Sequence, residues 1–174
     1  DPNLGEFYDY ERYGLQHMDY QSGVFTDRGY IAYVGTVDLE ELMAEELVPF
    51  QSAIDGGVNF VMVGHISAPN VTGDNAPATL SKVLITDVLR GQMGYNGIVI
   101  TDAMNMEAIT GFYNSDKAAV LAVTAGADMI LMPADYNTAY TGILNAVNDG
   151  TITEERINES VTRIVKGKLA MGQQ

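Results

Sequence analysis

Three apolar runs in this chain break off at residues able to do chemistry. Ile98-Val99-Ile100 ends in Thr101-Asp102, a hydroxyl beside a carboxylate. Val58 to Val63 ends in Gly64-His65, and Ala127 to Met132 stops at Pro133, just ahead of Ala134-Asp135. In α/β folds the carboxyl ends of parallel strands are where ligands bind and catalysis happens. His65, Asp102 and the Met132–Asp135 turn are therefore predicted to gather at one end of a sheet. A carboxylate there serves as nucleophile or proton acceptor, or it caps the next helix. From these residues alone Asp102 keeps both readings, whereas Asp135 reads as a cap. His65 is either a pocket residue or a core histidine satisfied by a backbone carbonyl.

The elements that must position these groups follow from periodicity. Asp38 with Glu41 reads as a capping pair, and Leu39, Leu42, Met43, Leu47, Phe50 and Ile54 recur at helical spacing. Pro49 interrupts or restarts that helix, and Gly56-Gly57 ends it. After the first strand, Ser81 caps a helix carrying Val83, Leu84, Ile85, Val88 and Leu89. Further helices are predicted from about Ser115 to Ala125, with Gly126 as stop signal, and from Tyr136 to Val147. Thr153 caps a last helix whose Ile157, Val161, Ile164, Val165 and Leu169 form an apolar stripe. The order predicts an α/β fold of three parallel strand-helix units plus a terminal helix, joined by right-handed crossovers. A partial (β/α)8 barrel has this pattern, and so does a doubly wound sheet. Residues 1–35 differ: tyrosines stand at 8, 10, 13, 20, 30 and 33, and residues 23–34 read as a hairpin. Such aromatics stack on sugars or pack a core.

Composition narrows the chemistry. The 174 residues make one domain or a piece of one. Nine basic against 23 acidic side chains give a formal charge of −14, which repels nucleic acid and anionic membranes. No apolar run approaches the roughly 20 residues of a membrane span, and the start shows no signal-peptide pattern, which leaves the compartment open. Cysteine is absent, so disulfides and thiolate chemistry are excluded. Two histidines far apart, His17 and His65, with no HExxH or EF-hand spacing, predict no metal. No phosphate-cradling glycine motif and no serine elbow appear, and no cofactor is expected.

Several motifs in order resemble family 3 glycoside hydrolases. They are Glu46-Leu47-Val48-Pro49-Phe50 with Ala53-Ile54-Asp55, then Val61-Met62-Val63-Gly64-His65-Ile66, then Pro77-Ala78-Thr79-Leu80-Ser81. Leu89-Arg90, Gly94-Tyr95-Asn96-Gly97, Thr101-Asp102-Ala103-Met104 and Gly126-Ala127-Asp128 continue the likeness, and the Arg156-Ile157, Ser160-Val161, Arg163-Ile164 helix completes it. The β-N-acetylhexosaminidase branch is the nearer, since the β-glucosidase branch more often has Trp where Ala103 stands. The likeness spans about residues 38–171 and implies that 36–174 form the C-terminal part of a catalytic barrel.

The resemblance implies a retaining β-glycosidase acting on terminal β-linked N-acetylglucosamine or related β-glycosides. Asp102 matches the nucleophile, and His65, Met104 and Met132 are assigned to substrate binding around it. The branch takes its acid/base histidine from a loop after a KHFPGHG-like strand, which is not found here. An isolated chain lacking that partner is expected to have little or no activity, because general acid–base help contributes about 10²–10⁴-fold. Two other readings stay open: a catalytically inactive carbohydrate- or partner-binding α/β module, and an isomerase-like barrel using Asp102 as proton acceptor. Three strands alone would leave open edges, so self-association is expected.

Overall fold

The computed structural model describes residues 38–171. The tyrosine-rich segment and its expected hairpin lie outside the described residues. Asp38 opens the first helical stretch, its carboxylate accepting from the Glu41 N–H at 3.0 Å. Helix α1 (Leu39–Glu41) passes into a π segment (Leu42–Glu46), and α2 (Val48–Asp55) follows with Pro49 in its first turn. Pro49 restarts the helix there, because a missing N–H costs nothing at that position.

Strand β1 (Phe60–Val63) pairs in parallel with β2 (Ile98–Thr101), with Val63 opposite Thr101. Between them lie α3 (Pro69–Thr72), a 3-10 turn (Ala78–Leu80) and a π-helix (Val83–Gln92). Ser81 caps that helix through its hydroxyl and the Leu84 N–H, and the wide turn closes with Met93 N–H on the Val88 carbonyl at 3.0 Å. Helices α4 (Glu107–Thr110), α5 (Ser115–Ala125), α6 (Tyr136–Asn148) and α7 (Glu154–Met171) complete the chain. Strand β2 is covered on both faces, as its unbroken apolar run predicted, whereas Phe60 and Met62 leave one face of β1 open. The main core gathers Ile85, Val88, Val99, Met104 and Ile109 with the alanine face of α5.

The third expected strand is corrected to a single parallel bridge, Ile100 to Met129. Its central bonds are those of a ladder: Met129 N–H donates to Val99 O and Thr101 N–H to Met129 O, both at 3.1 Å. The flanking ladder positions are taken over by side chains. Val99 N–H donates to the Asp128 carboxylate at 3.0 Å, while the Ala127 carbonyl accepts from Arg156 at 2.7 Å. Leu131 N–H donates to the Thr101 hydroxyl at 2.9 Å. The segment remains bonded beside β2, but side chains replace the backbone pairs that would extend a strand.

A second correction concerns α7. Its inward face is largely polar, with Arg156, Ser160 and Arg163 turned toward Asp128. Ile157 and Ile164 are half-buried, but Val161, Val165 and Leu169 of the predicted apolar stripe stand exposed.

Candidate active site

The parallel register sets the site. Because Val63 lies opposite Thr101, His65 and Asp102 leave their strands at the same end of the sheet, and Asp102 N–H donates to Val63 O at 2.9 Å. Asp102 is half-buried. Its Oδ1 accepts from the Ala103 N–H at 2.7 Å, a local turn bond that orients the carboxylate. No helix N-terminus takes this carboxylate, since α4 begins at Glu107 with Met106 in the capping place. Asp135 is the cap its sequence suggested. Its side chain accepts from the Thr138 N–H at 2.8 Å, and that bond holds its carboxyl below the ordinary range.

The expected substrate-binding residues separate. His65 is buried, its ring between the Thr79 hydroxyl at 2.8 Å and the Ala103 carbonyl at 3.0 Å. Met104 is corrected to a core residue: it is 3% exposed and packs with the main cluster, while its N–H donates to Leu131 O at 2.9 Å. Met132 is 56% exposed and carries a left-handed φ of 45°. A non-glycine residue in that region costs on the order of 1–3 kcal/mol, and such strain concentrates at functional sites. The bonds of Leu131 to Thr101 and Met104 on one side and Pro133 on the other hold it there.

Behind the strand ends, Asp128 is the charged hub of the frame. Its side chain is fully shielded from solvent and binds Arg90 at 2.6 Å, Arg163 at 3.1 Å and the Ser160 hydroxyl at 2.6 Å. Arg156 lies at 3.6 Å. Burial works to raise the Asp128 carboxyl, but Ser160, the Val99 N–H and the guanidiniums outweigh it, leaving the group below its ordinary value. Burial lowers Arg90 and Arg156 despite the opposing pull of Asp128. Arg90 also donates to the carbonyls of Gly97 and Gly126 at 3.2 and 3.0 Å, joining the start of β2 to the end of α5. Gly97 leaves room for Tyr95, whose ring a Cβ there would overlap. Burial raises the Tyr95 hydroxyl to about 12, and it donates to the Ile98 carbonyl at 3.0 Å.

Sequence reasoning missed the working partnerships of Thr79 and Asp128. The signal for the second was present: Arg156, Ser160 and Arg163 recur at helical spacing on one face of α7. For Thr79 no local signal existed. Among the described residues no cluster of three metal-ligating side chains forms, and no helix is long and apolar enough to cross a membrane.

Comparisons with known proteins identify the family. A β-N-acetylglucosaminidase/β-glucosidase of Cellulomonas fimi is 32% identical over 155 residues, covering 84% of this chain and 28% of that protein. The structure of a family 3 β-N-acetylglucosaminidase from Paenibacillus sp. str. FPU-7 superposes with a TM-score of 0.75 at 42% identity, covering 82% of this chain and 28% of that one. The β-N-acetylglucosaminidase from Thermotoga maritima gives 0.71 at 30% identity, covering 77% and 30%. The chain thus spans under a third of the length of these relatives. The family model described as the glycosyl hydrolase family 3 N terminal domain matches residues 18–166, beginning inside the tyrosine-rich segment. With that match over most of its length, the chain belongs to glycosyl hydrolase family 3.

Proposed function

We propose that this chain contributes the nucleophile to a retaining β-N-acetylglucosaminidase site, within a (β/α)8 barrel of which it forms the C-terminal units. The observation that carries the reading is the state of Asp102. It stands at the carboxyl end of a strand buried on both faces, half-open to solvent, with Oδ1 held by the Ala103 N–H. Oδ2 is then the oxygen that attacks the anomeric carbon. A bond forms between them as the glycosidic C–O bond breaks, and the leaving oxygen takes a proton from an acid supplied outside the described residues. Water then attacks the same carbon from the opposite face, giving its proton to the conjugate base of that acid, and releases the sugar and the carboxylate. On this reading Met132, exposed and held at a left-handed φ, is a sugar contact. The carbohydrate substrate, its N-acetyl group and the low activity of the isolated chain belong to this reading.

A 5-fluoro glycosyl fluoride of the N-acetylglucosamine series tests it in the intact protein. The label is expected on the peptide containing Asp102, and Asp102→Ala should abolish labelling and turnover. A label on another carboxylate, or turnover unchanged by Asp102→Ala, refutes the assignment.

A further inference from the structure

Both ring nitrogens of His65 are engaged by the chain itself. Nδ1 lies 2.8 Å from the Thr79 hydroxyl and Nε2 lies 3.0 Å from the Ala103 carbonyl. A carbonyl only accepts, so Nε2 carries a proton and donates it to Ala103. The Thr79 hydroxyl also reaches the Val63 and Gly64 carbonyls, at 3.0 and 2.7 Å. It has one proton to give, and Nε2 remains the donor to Ala103 whichever acceptor that proton serves. Thr79 is 0% exposed and His65 7%, so water competes little for these bonds.

Ala103 links this relay to the carboxylate. Its carbonyl accepts from His65 and from the Met106 N–H at 3.1 Å, which occupies both lone pairs. Its N–H donates to Asp102 Oδ1 at 2.7 Å. The two groups flank one Cα, so fixing the carbonyl restricts the Ala103 backbone and with it the direction of the N–H.

We propose that His65 is a positioning residue for Asp102, acting through Ala103, with Thr79 orienting its ring, and that it is not a sugar ligand. The proposal rests on Asp102 being the nucleophile. Loss of the relay lets the carboxylate wander from its line of attack while leaving sugar contacts in place. A displacement of about 1 Å costs on the order of 10²-fold in rate.

The test compares His65→Leu, His65→Gln and Thr79→Val in the intact protein. It measures kcat and KM on an aryl β-N-acetylglucosaminide, the rate at which the 5-fluoro reagent labels Asp102, and the urea midpoint. His65→Leu should lower kcat and the labelling rate together by about 10²-fold with KM nearly unchanged. Gln keeps an N–H donor for Ala103 and should recover a large part of that loss, with Thr79→Val falling between. A raised KM with kcat preserved would make His65 a sugar contact and overturn the proposal. Equal rates in the Leu and Gln variants would make the role one of bulk packing, and overturn it as well. If the Leu variant does not fold, Gln and Thr79→Val decide: parental labelling rates in both refute the relay. Failure of the nucleophile reading is seen separately, as a label elsewhere than Asp102 or an active Asp102→Ala.

Discussion

Replacing Asp128 by Asn removes one negative charge and leaves three guanidiniums facing one another. Asn keeps the volume and an oxygen for the Val99 N–H, but its amide nitrogen replaces the Oδ1 that accepts from Ser160 and Arg163, so an acceptor is lost together with the charge. The Asp128 side chain is 0% exposed, and those of Arg90, Arg156 and Arg163 are 13, 17 and 22% exposed. An exposed ion pair contributes about 0–1 kcal/mol, whereas removing one member of a buried set costs about 3–5 kcal/mol, because the survivors stay desolvated without a counter-ion. Asp128→Asn is placed in the second class, a large part of a domain stability of about 5–15 kcal/mol. Urea unfolding at neutral pH should show a lower midpoint at unchanged slope. Since the folded carboxyl lies below its ordinary value, its contribution is fully present above the unfolded value of about 3.9 and is lost as pH falls through the folded one. The gap between parent and variant should therefore narrow in acid. A loss under about 1 kcal/mol at neutral pH, or a gap that persists undiminished once the parent carboxyl is protonated, would refute this account of the hub.

Two further outcomes follow from the frame around Asp102. Thr101→Val leaves the Leu131 N–H without its hydroxyl acceptor and should cost about 1–3 kcal/mol in the same unfolding assay, with faster hydrogen exchange at Leu131; parental exchange there would show that the hydroxyl bond does not hold the segment. The chain should also self-associate, because β1 presents Phe60 and Met62 at 37 and 52% exposure and α7 presents Leu169 at 62%; light scattering giving a monodisperse 18.8 kDa monomer would refute that.

What the sequence by itself determined is local. The apolar run Ile98-Val99-Ile100 specified a strand covered on both faces, and it is one. Pro49, Ser81, Gly126, Asp135 and Thr153 marked helix starts and stops where the structure has them, because capping chemistry acts within three or four residues. The family motifs and the strand-end position of Asp102 were legible for the same reason. Tertiary structure decided which polar groups found partners. Asp128 meets Arg90 across 38 positions and Arg163 across 35; the helical spacing of Arg156, Ser160 and Arg163 marks a polar face on α7 but does not name the residue that face meets. That cluster turned α7's polar face inward and left Val161 and Leu169 outside. Side-chain bonds of Asp128, Arg156 and Thr101 took the places of ladder bonds, reducing an expected strand to one bridge. Apolar packing took Met104 into the core, and His65 became engaged at both nitrogens because its polar atoms are buried. A buried polar or charged atom must be satisfied by whatever the fold brings within about 3 Å, and the atoms that do so here come from distant parts of the chain.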